Sequence, residues 1–306
     1  MTARLMTSLT VLAALAAPVA APAAAQADAL EGKRSYGEIL EAAPADAWRT
    51  VDPADVIVIE LDTGSVILEL SRHLAQGQVA QMKGLAREGY FDGLPFHRVI
   101  ENFVAQAGDV TQERTPETMP LTVKAEFDEP APAGLPFAPL GNFDGYAPEA
   151  GFIDGMPAGR DPETGRVWLA HCTGALAFGR DVGPDTAGTE FYVTLQPQRY
   201  LDRNLSVFGR VLDGSEHLQK LNRVTPYPDD APQEGGEPGI IRRLVLASDL
   251  PEAEQPGLQV FDTGHPLFAE LLDSRRNRPE EFWYFRPGYV ALCAMPIPVR
   301  DAPAAE

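Results

Sequence analysis

The chain has 306 residues, of which 44% are hydrophobic, and it contains 28 prolines and 27 glycines. This length suffices for one large domain or two ordinary ones, and the composition is typical of a folded protein rich in turns and strands. The formal net charge of −19 argues against non-specific binding to nucleic acid or anionic lipid, because both are polyanions.

The first 27 residues have the pattern of a bacterial secretory signal peptide. One basic residue precedes an apolar stretch from Leu5 to about Val19, and small residues follow. Ala25–Ala27 fits the small-x-small rule for cleavage and predicts Asp28 as the first mature residue, with Ala23–Ala25 as a competing site. No later segment is long and apolar enough to span a bilayer. The sequence therefore predicts a secreted, soluble, periplasmic protein.

The next segments predict the start of a β-rich core. Residues 28–53 are polar and Ala-rich, which indicates an N-terminal adapter with one helix near "SYGEILEAA". Two β-branched runs flank "DTG" within 56–70 and predict a hairpin. Apolar residues at helical spacing then predict a helix that stops at Gly89. The stretch "FHRVIENFVAQAGD" at 96–109 predicts a strand.

The second half of the core alternates between loop and strand. Residues 128–170 are dense in proline and glycine, which predicts a long loop insertion without regular structure, either functional or mobile. Strands are predicted within 174–195, 206–214 and 239–250, with one short helix between the last two. Many strands with two helices well separated in sequence favour a mainly β antiparallel barrel or sandwich.

Residues 251–306 form a C-terminal extension. "HPLFAELLDSRRNR" predicts a helix, and "GYVALCAMPIPV" predicts an edge strand because its prolines cannot donate to a ladder on both sides. The four consecutive aromatic residues from Phe282 to Phe285 are expected to pack on the barrel wall. A surface for partners is the alternative.

Several kinds of site find no support in the sequence. The five histidines are scattered, so no metal site is predicted, and the nucleophile elbow and the glycine-rich phosphate loops are absent. Cys172 and Cys293 fit an exported protein either as a disulfide or as two buried thiols, and the sequence leaves both open.

Arg98 and Gln106 are unexpected in a largely apolar strand. Long polar side chains on a buried strand need a reason. One interpretation is an arginine that is held by a carboxylate or that reaches solvent from a barrel rim. The other is that both residues face a ligand groove.

Three motifs decide between these interpretations. "FHRVIENFVAQAGD", "GPDTAGTEFYVT" and "YLDRNLSVFGRV" occur in this order and together resemble the cyclophilin family of peptidyl-prolyl cis-trans isomerases. The resemblance covers about residues 54–250, apart from the long loop. It implies an eight-stranded antiparallel barrel capped by two helices, and an enzyme that needs no cofactor.

The resemblance also implies the roles of individual residues. Arg98 is the expected catalytic residue, because a guanidinium stays charged and can donate to the twisted Xaa-Pro amide. Gln106 is expected to bind the substrate backbone, and the chain at Gly179–Arg180 to pair with an extended peptide. The proline seat and the remaining substrate contacts are expected to involve Phe103, Val104, Tyr192 and Leu205, with Glu190, Phe191 and Tyr200.

Five of these positions depart from the family pattern, and the change at Val104, where the family has methionine, is mild. Glu190 stands where the family usually has glutamine and brings a charge and only acceptors to the groove. Tyr192 replaces a phenylalanine, Tyr200 a tryptophan and Leu205 a histidine. The loop after Gly179 is one residue longer than usual. Arg98 and the apolar seat are retained.

The resulting prediction is a periplasmic prolyl isomerase that assists the folding of exported proteins, because Xaa-Pro rotation is slow enough to limit folding. Its expected partners are proline-containing unfolded or extended polypeptides, with no nucleic acid, no membrane after signal cleavage and a monomeric state. The alternative is a cyclophilin-like binding module or chaperone with little turnover.

Overall fold

A computed structural model describes residues 32–111, 113–224 and 236–303 of the chain. The predicted signal peptide lies outside these residues. In the part of the chain that the structure describes, no helix has the length and apolar character needed to cross a membrane.

The described residues form four α-helices and sixteen strands, with short 3-10 turns between them. The helices are α1 (Tyr36–Glu41), α2 (Gln76–Arg87), α3 (Ser215–Gln219) and α4 (Leu267–Asn277). The strands are β1 (Trp48–Thr50), β2 (Val56–Leu61), β3 (Gly64–Leu70), β4 (Arg98–Val99), β5 (Val104–Gly108), β6 (Glu129–Pro130), β7 (Ala138–Pro139), β8 (Glu149–Ile153), β9 (Met156–Asp161), β10 (Arg166–Leu169), β11 (Ala175–Phe178), β12 (Glu190–Thr194), β13 (Val207–Asp213), β14 (Arg243–Leu246), β15 (Leu258–Phe261) and β16 (Val299–Asp301).

Eight strands make a curled antiparallel sheet in the order β14-β2-β3-β13-β11-β12-β5-β4. The edge strands of this sheet are β14 and β4. Isolated β-bridges link Pro95, before β4, to Ile240, before β14, and Val99 on β4 to Val224. The inner face and the helices α2 and α3 share one apolar core, to which they contribute Leu85 and Leu218 among others. This architecture confirms the mainly β, eight-stranded antiparallel fold.

Alternation along β12 shows how the sequence separates the two faces of this sheet. Phe191 and Val193 belong to the inner core, whereas Tyr192 belongs to a different apolar cluster on the outer face. Side chains of a strand point alternately to opposite faces, so Glu190 and Tyr192 share the outer face. The outer face of β12 therefore carries one charged and one aromatic side chain.

Residues 128–170 differ from the prediction of a long loop without regular structure. They contain a second antiparallel sheet in the order β6-β10-β9-β8-β7. The prediction was wrong because the glycines here serve the sheet: Gly159 pairs with Trp168, and a Cβ at residue 159 would lie 2.6 Å from the indole ring. The missing side chain of Gly159 therefore leaves room for the Trp168 ring to lie against β9.

The C-terminal extension packs through other residues than the sequence predicts. Phe282, Tyr284 and Phe285 are largely exposed, so their predicted packing on the barrel is wrong. The extension instead buries one face of α4 in a cluster with α1 and the second sheet, and it buries β15 against β2 and β3. The amphipathic elements α4 and β15, and not the aromatic run, therefore anchor the extension.

The predicted edge strand in "GYVALCAMPIPV" is also wrong. A short 3-10 helix occupies Leu292–Ala294, and β16 begins only at Val299, after the second proline. Because Pro296 and Pro298 have no N–H group, the segment cannot form a regular ladder. Cys293 in this segment forms a disulfide with Cys172, which resolves the alternative that the sequence leaves open.

A buried cluster of charged residues joins the sheets. Glu69 on β3 is 1% exposed and accepts a 2.8 Å hydrogen bond from Arg49 Nη2 on β1. Arg49 also donates to the carbonyl of Asp154, in the turn between β8 and β9, and Arg210 Nη2 lies 3.6 Å from Glu69. Burial lowers the pKa of Arg210 to about 10. We call Arg49, Glu69 and Arg210 the junction cluster.

Candidate functional site

Arg98 and Gln106 face each other on the outer side of the curled sheet. They are direct partners in the antiparallel pairing of β4 with β5. Arg98 Nη1 donates to Gln106 Oε1 at 3.5 Å, and the Arg98 guanidinium carbon lies 5.2 Å from the centroid of the Phe103 ring. Arg98 is only half-buried. The guanidinium is therefore oriented by an amide and an aromatic face, with donors left over for a ligand.

Glu190 fixes the orientation of the Gln106 amide. Gln106 Nε2 donates to Glu190 Oε2 at 2.8 Å, and His97 Nε2 lies 3.2 Å from the same oxygen. An ionised carboxylate only accepts hydrogen bonds, so it selects the NH₂ side of the amide and leaves Oε1 toward Arg98. We call Arg98, Gln106, Glu190 and His97 the groove network.

The pKa of Glu190 lies below its ordinary value. The hydrogen bond with His97 is the largest cause, and the hydrogen bond from Gln106 and the charge of His97 also lower the pKa. Burial and the charge of Asp109 act in the opposite direction. The carboxylate therefore stays ionised at neutral pH, as its acceptor role requires.

Gly179 and Arg180 border the same network. Gly179 N donates to the carbonyl of Glu190 at 2.7 Å, and a Cβ at residue 179 would lie 3.2 Å from Gln106 Nε2. The Arg180 side chain donates to the carbonyl of Asn204. Glycine at 179 thus leaves space for the Gln106 amide, and Arg180 is held by the turn that follows β12.

The predicted apolar seat is assembled beside this network. Phe103, Val104, Tyr192 and Leu205 belong to one cluster on the outer face, together with residues of the second sheet such as Met156. Val104 and Tyr192 are buried and form the floor, while Phe103 and Leu205 are half-buried. The structure brings these four predicted residues together.

A buried chain of hydrogen bonds supports the floor. The Tyr192 hydroxyl lies 2.9 Å from His171 Nε2, and His171 Nδ1 lies 3.0 Å from Asp202 Oδ1. Asp202 in turn pairs with Arg199, whose guanidinium binds both carboxylate oxygens of Asp144 at 2.9 Å. Burial raises the pKa of Tyr192, so the phenol remains protonated. The Tyr192 hydroxyl, which a phenylalanine at this position would lack, therefore has His171 as its hydrogen-bond partner.

Phe191 is placed elsewhere than predicted. It is completely buried and packs edge-to-face against Phe91 and Phe96 inside the curled sheet. The alternation of β12 directs it away from Glu190 and Tyr192, so it belongs to the core and does not reach the seat. Tyr200, by contrast, is exposed beside the site.

Four polar residues of the site were missed at the sequence level. The spacing of the histidines offers His97 and His171 only as potential metal ligands, although His97 lies within the first motif. Asp202 lies within the third motif, and a carboxylate inside a motif is the signal in the sequence that points to it. Asp144 carried no signal, because its segment was predicted as loop.

The geometry combines a charged donor, an acceptor network and an apolar floor. Such a site can hold an apolar ring and direct an N–H donor at a nearby electron-rich atom. Across residues 32–111, 113–224 and 236–303, no group of three His, Cys, Asp or Glu residues is arranged to hold a metal ion.

Comparison with known sequences finds one protein family over the core of the chain. A family model described as "Cyclophilin type peptidyl-prolyl cis-trans isomerase/CLD" matches residues 56–237, which is more than half of the chain. A "probable peptidyl-prolyl cis-trans isomerase" of Brucella suis is 28% identical over 62% of this chain and 79% of its own length. The human "peptidyl-prolyl cis-trans isomerase-like 1" is 28% identical over 63% of this chain and 92% of its own length.

A solved structure extends the similarity beyond this segment. The crystal structure of cyclophilin AquaCyp293 from Hirschia baltica superposes with a TM-score of 0.67 at 29% identity. The match covers 83% of this chain and 92% of the other. The solved structure covers more of this chain than the sequence relatives do. The structural similarity therefore includes segments outside the curled sheet.

Proposed function

The chain belongs to the cyclophilin-type peptidyl-prolyl cis-trans isomerases, and we propose that Arg98 is its catalytic residue and exported, unfolded polypeptides are its substrates. Rotation of an Xaa-Pro amide makes and breaks no covalent bond, but it must overcome a barrier of about 18–20 kcal/mol. A catalyst therefore has to stabilise the twisted amide more than the planar one.

The groove network beside the apolar seat carries this proposal. The proline ring would rest on Val104 and Tyr192, and Arg98 would donate to the amide nitrogen as it loses conjugation. Gln106 would bind the substrate backbone, with Glu190 holding its amide in place. Because the donors are oriented before substrate binds, little reorganisation is needed in the transition state.

Two features support an exported protein. The first 27 residues have the signal-peptide pattern, and the Cys172–Cys293 disulfide is typical of oxidising compartments such as the periplasm. Expression of the full chain followed by fractionation and N-terminal sequencing tests this part. We expect a periplasmic product that begins at Asp28, and a cytoplasmic product with an intact N-terminus would contradict it.

Refolding of a protein whose slow phase is an Xaa-Pro rotation tests the substrate class. We expect catalytic amounts of the wild-type protein to accelerate that phase, and the Arg98→Ala variant to lose the acceleration. No acceleration by the wild type would refute the folding role, even if short peptides are turned over.

A binding module with little turnover remains the second candidate, and the exposed Phe282, Tyr284 and Phe285 favour it. Such a surface could hold unfolded chains without catalysis. If the wild type prevents aggregation of an unfolded protein but accelerates no Xaa-Pro rotation, this second function replaces the first.

A further inference from the structure

Three exposed aromatic residues lie on the turn that follows β12 or in the segment that is ion-paired to this turn. Tyr200 is 59% exposed, Tyr146 54% and Phe143 81%. Tyr200 follows the core strand β12, whereas Phe143 and Tyr146 come from the segment between β7 and β8. We call these three residues the aromatic ledge. Exposed aromatic surface is costly in water and often marks a binding site.

Buried ion pairs fix the two parts of the ledge to each other. Arg199, next to Tyr200, binds Asp144 through two 2.9 Å hydrogen bonds and pairs also with Asp202. The Arg199 guanidinium carbon lies 5.0 Å from the centroid of the Tyr146 ring. Arg199, Asp144 and Asp202 are all largely shielded from water, so these charge-assisted bonds give the loop a defined position.

The ledge is continuous with the proline seat. The side chain of Gln198 donates to the carbonyl of Asn102 at 2.7 Å, which places the start of this turn beside Phe103. At the other end of the turn, the carbonyl of Asn204 accepts from Arg180. The turn therefore borders the groove on one side and carries the loop of Phe143 and Tyr146 on the other.

The chemistry of the ledge suits an extended apolar chain. Aromatic rings offer large, rigid contact area with few rotatable bonds, and the tyrosine hydroxyls can bond to backbone groups. An unfolded polypeptide exposes both apolar side chains and unpaired backbone groups. A folded protein offers such a combination only at an unpaired edge.

We infer that Phe143, Tyr146 and Tyr200 form an accessory subsite that binds apolar or aromatic side chains of the substrate polypeptide, beyond the residues next to proline. This inference rests on the proposed function, because it assumes that proline occupies the seat. It assigns to the inserted second sheet a role in selecting long, unfolded substrates over short peptides.

Peptides of two lengths test the inference by exchange NMR. One is a tetrapeptide with a central Ala-Pro, and the others extend it by six residues containing Phe and Leu, either before or after the tetrapeptide. For the double variant Phe143→Ser/Tyr146→Ser, we expect kcat/KM for one extended peptide to fall about tenfold through KM, which corresponds to about 1.4 kcal/mol. The value for the tetrapeptide should change less than about twofold.

Controls separate this inference from the proposed function. The double variant Phe282→Ser/Phe285→Ser removes two aromatic rings that are 77% and 76% exposed in another segment, and it should leave both extended peptides unaffected. An equal loss in this control, or no loss for either extended peptide in the ledge variant, would overturn the inference. The single variant Phe143→Ser, at a site too exposed to affect folding, repeats the test. Failure of the wild type on the tetrapeptide would instead refute the proposed function.

Discussion

The groove network and the junction cluster use the same kinds of side chain at two levels of burial. In the junction cluster, Glu69 is enclosed between Arg49 and Arg210, and all three side chains are largely shielded from water. In the groove network, Arg98 is half-buried and makes a single 3.5 Å hydrogen bond within the described part of the chain. A guanidinium enclosed by protein cannot reach a ligand, whereas an oriented one that is open to solvent can donate to a ligand.

Loss of the junction carboxylate should have the largest effect on stability. Glu69→Ala leaves two buried guanidinium groups without their partner, which typically costs about 3–5 kcal/mol. Urea denaturation should show this loss in the free energy of unfolding. The matched control is Glu60→Ala, whose partner Arg243 is well exposed, so less than about 1 kcal/mol is expected. Equal losses of stability in both variants would show that burial does not determine how much these ion pairs contribute.

Removal of the disulfide should have the next largest effect. Cys172 and Cys293 are 121 residues apart, so their link restricts a long loop in the unfolded chain, and such links typically contribute about 2–4 kcal/mol. The double variant Cys172→Ser/Cys293→Ser should therefore unfold at lower urea. Wild-type protein in reducing agent should match it, and unchanged stability in either sample would argue that the extension is held by packing alone.

Tyr192→Phe should have a smaller effect. It removes the hydroxyl that His171 contacts and leaves a buried imidazole nitrogen without that partner, at a cost of about 1–3 kcal/mol. Because the ring itself remains on the floor, kcat/KM for a tetrapeptide should change little. A large loss of activity without loss of stability would mean that the hydroxyl contacts the substrate.

The smallest expected effect is the titration of Glu190. Its pKa lies below the ordinary value of 4.5, so the stabilisation from its hydrogen bonds is complete above pH 4.5 and is lost as pH falls through the lowered pKa. We expect kcat/KM to show no Glu190-dependent change between pH 8 and pH 5. Glu190→Gln should alter only the decline at lower pH, and a decline between pH 7 and 5 that this variant removes would contradict the assignment.

The sequence predicted the core better than the additions, for identifiable reasons. The first two strands of the curled sheet consist of consecutive β-branched and apolar residues on either side of a turn, as in "VIVIELDTGSVILEL", which is a strong local signal. The strands of the second sheet are short and contain glycines such as Gly159 that are required by close cross-strand packing. Local patterns cannot distinguish those glycines from loop glycines.

The same division holds for the site. Arg98, Gln106 and the seat residues lie in three ordered motifs, so the resemblance located them. Phe191 was misassigned because the motif names a position but not the face of the strand to which it points. The pair Arg199–Asp144 spans 55 residues between a turn and a misassigned segment, and nothing local in the sequence indicates that they meet.

Exchange NMR on an Ala-Pro-containing tetrapeptide tests the central claim most directly, with the wild type, Arg98→Ala and Arg98→Lys compared at equal concentration. The loss of one preorganised donor typically costs about 10²- to 10³-fold in rate, so the account predicts such a loss for Arg98→Ala. It predicts only partial rescue by Arg98→Lys, because lysine keeps the charge but lacks the planar donors. Circular dichroism should confirm that all three proteins are folded. Acceleration by folded Arg98→Ala equal to that of the wild type would contradict the claim.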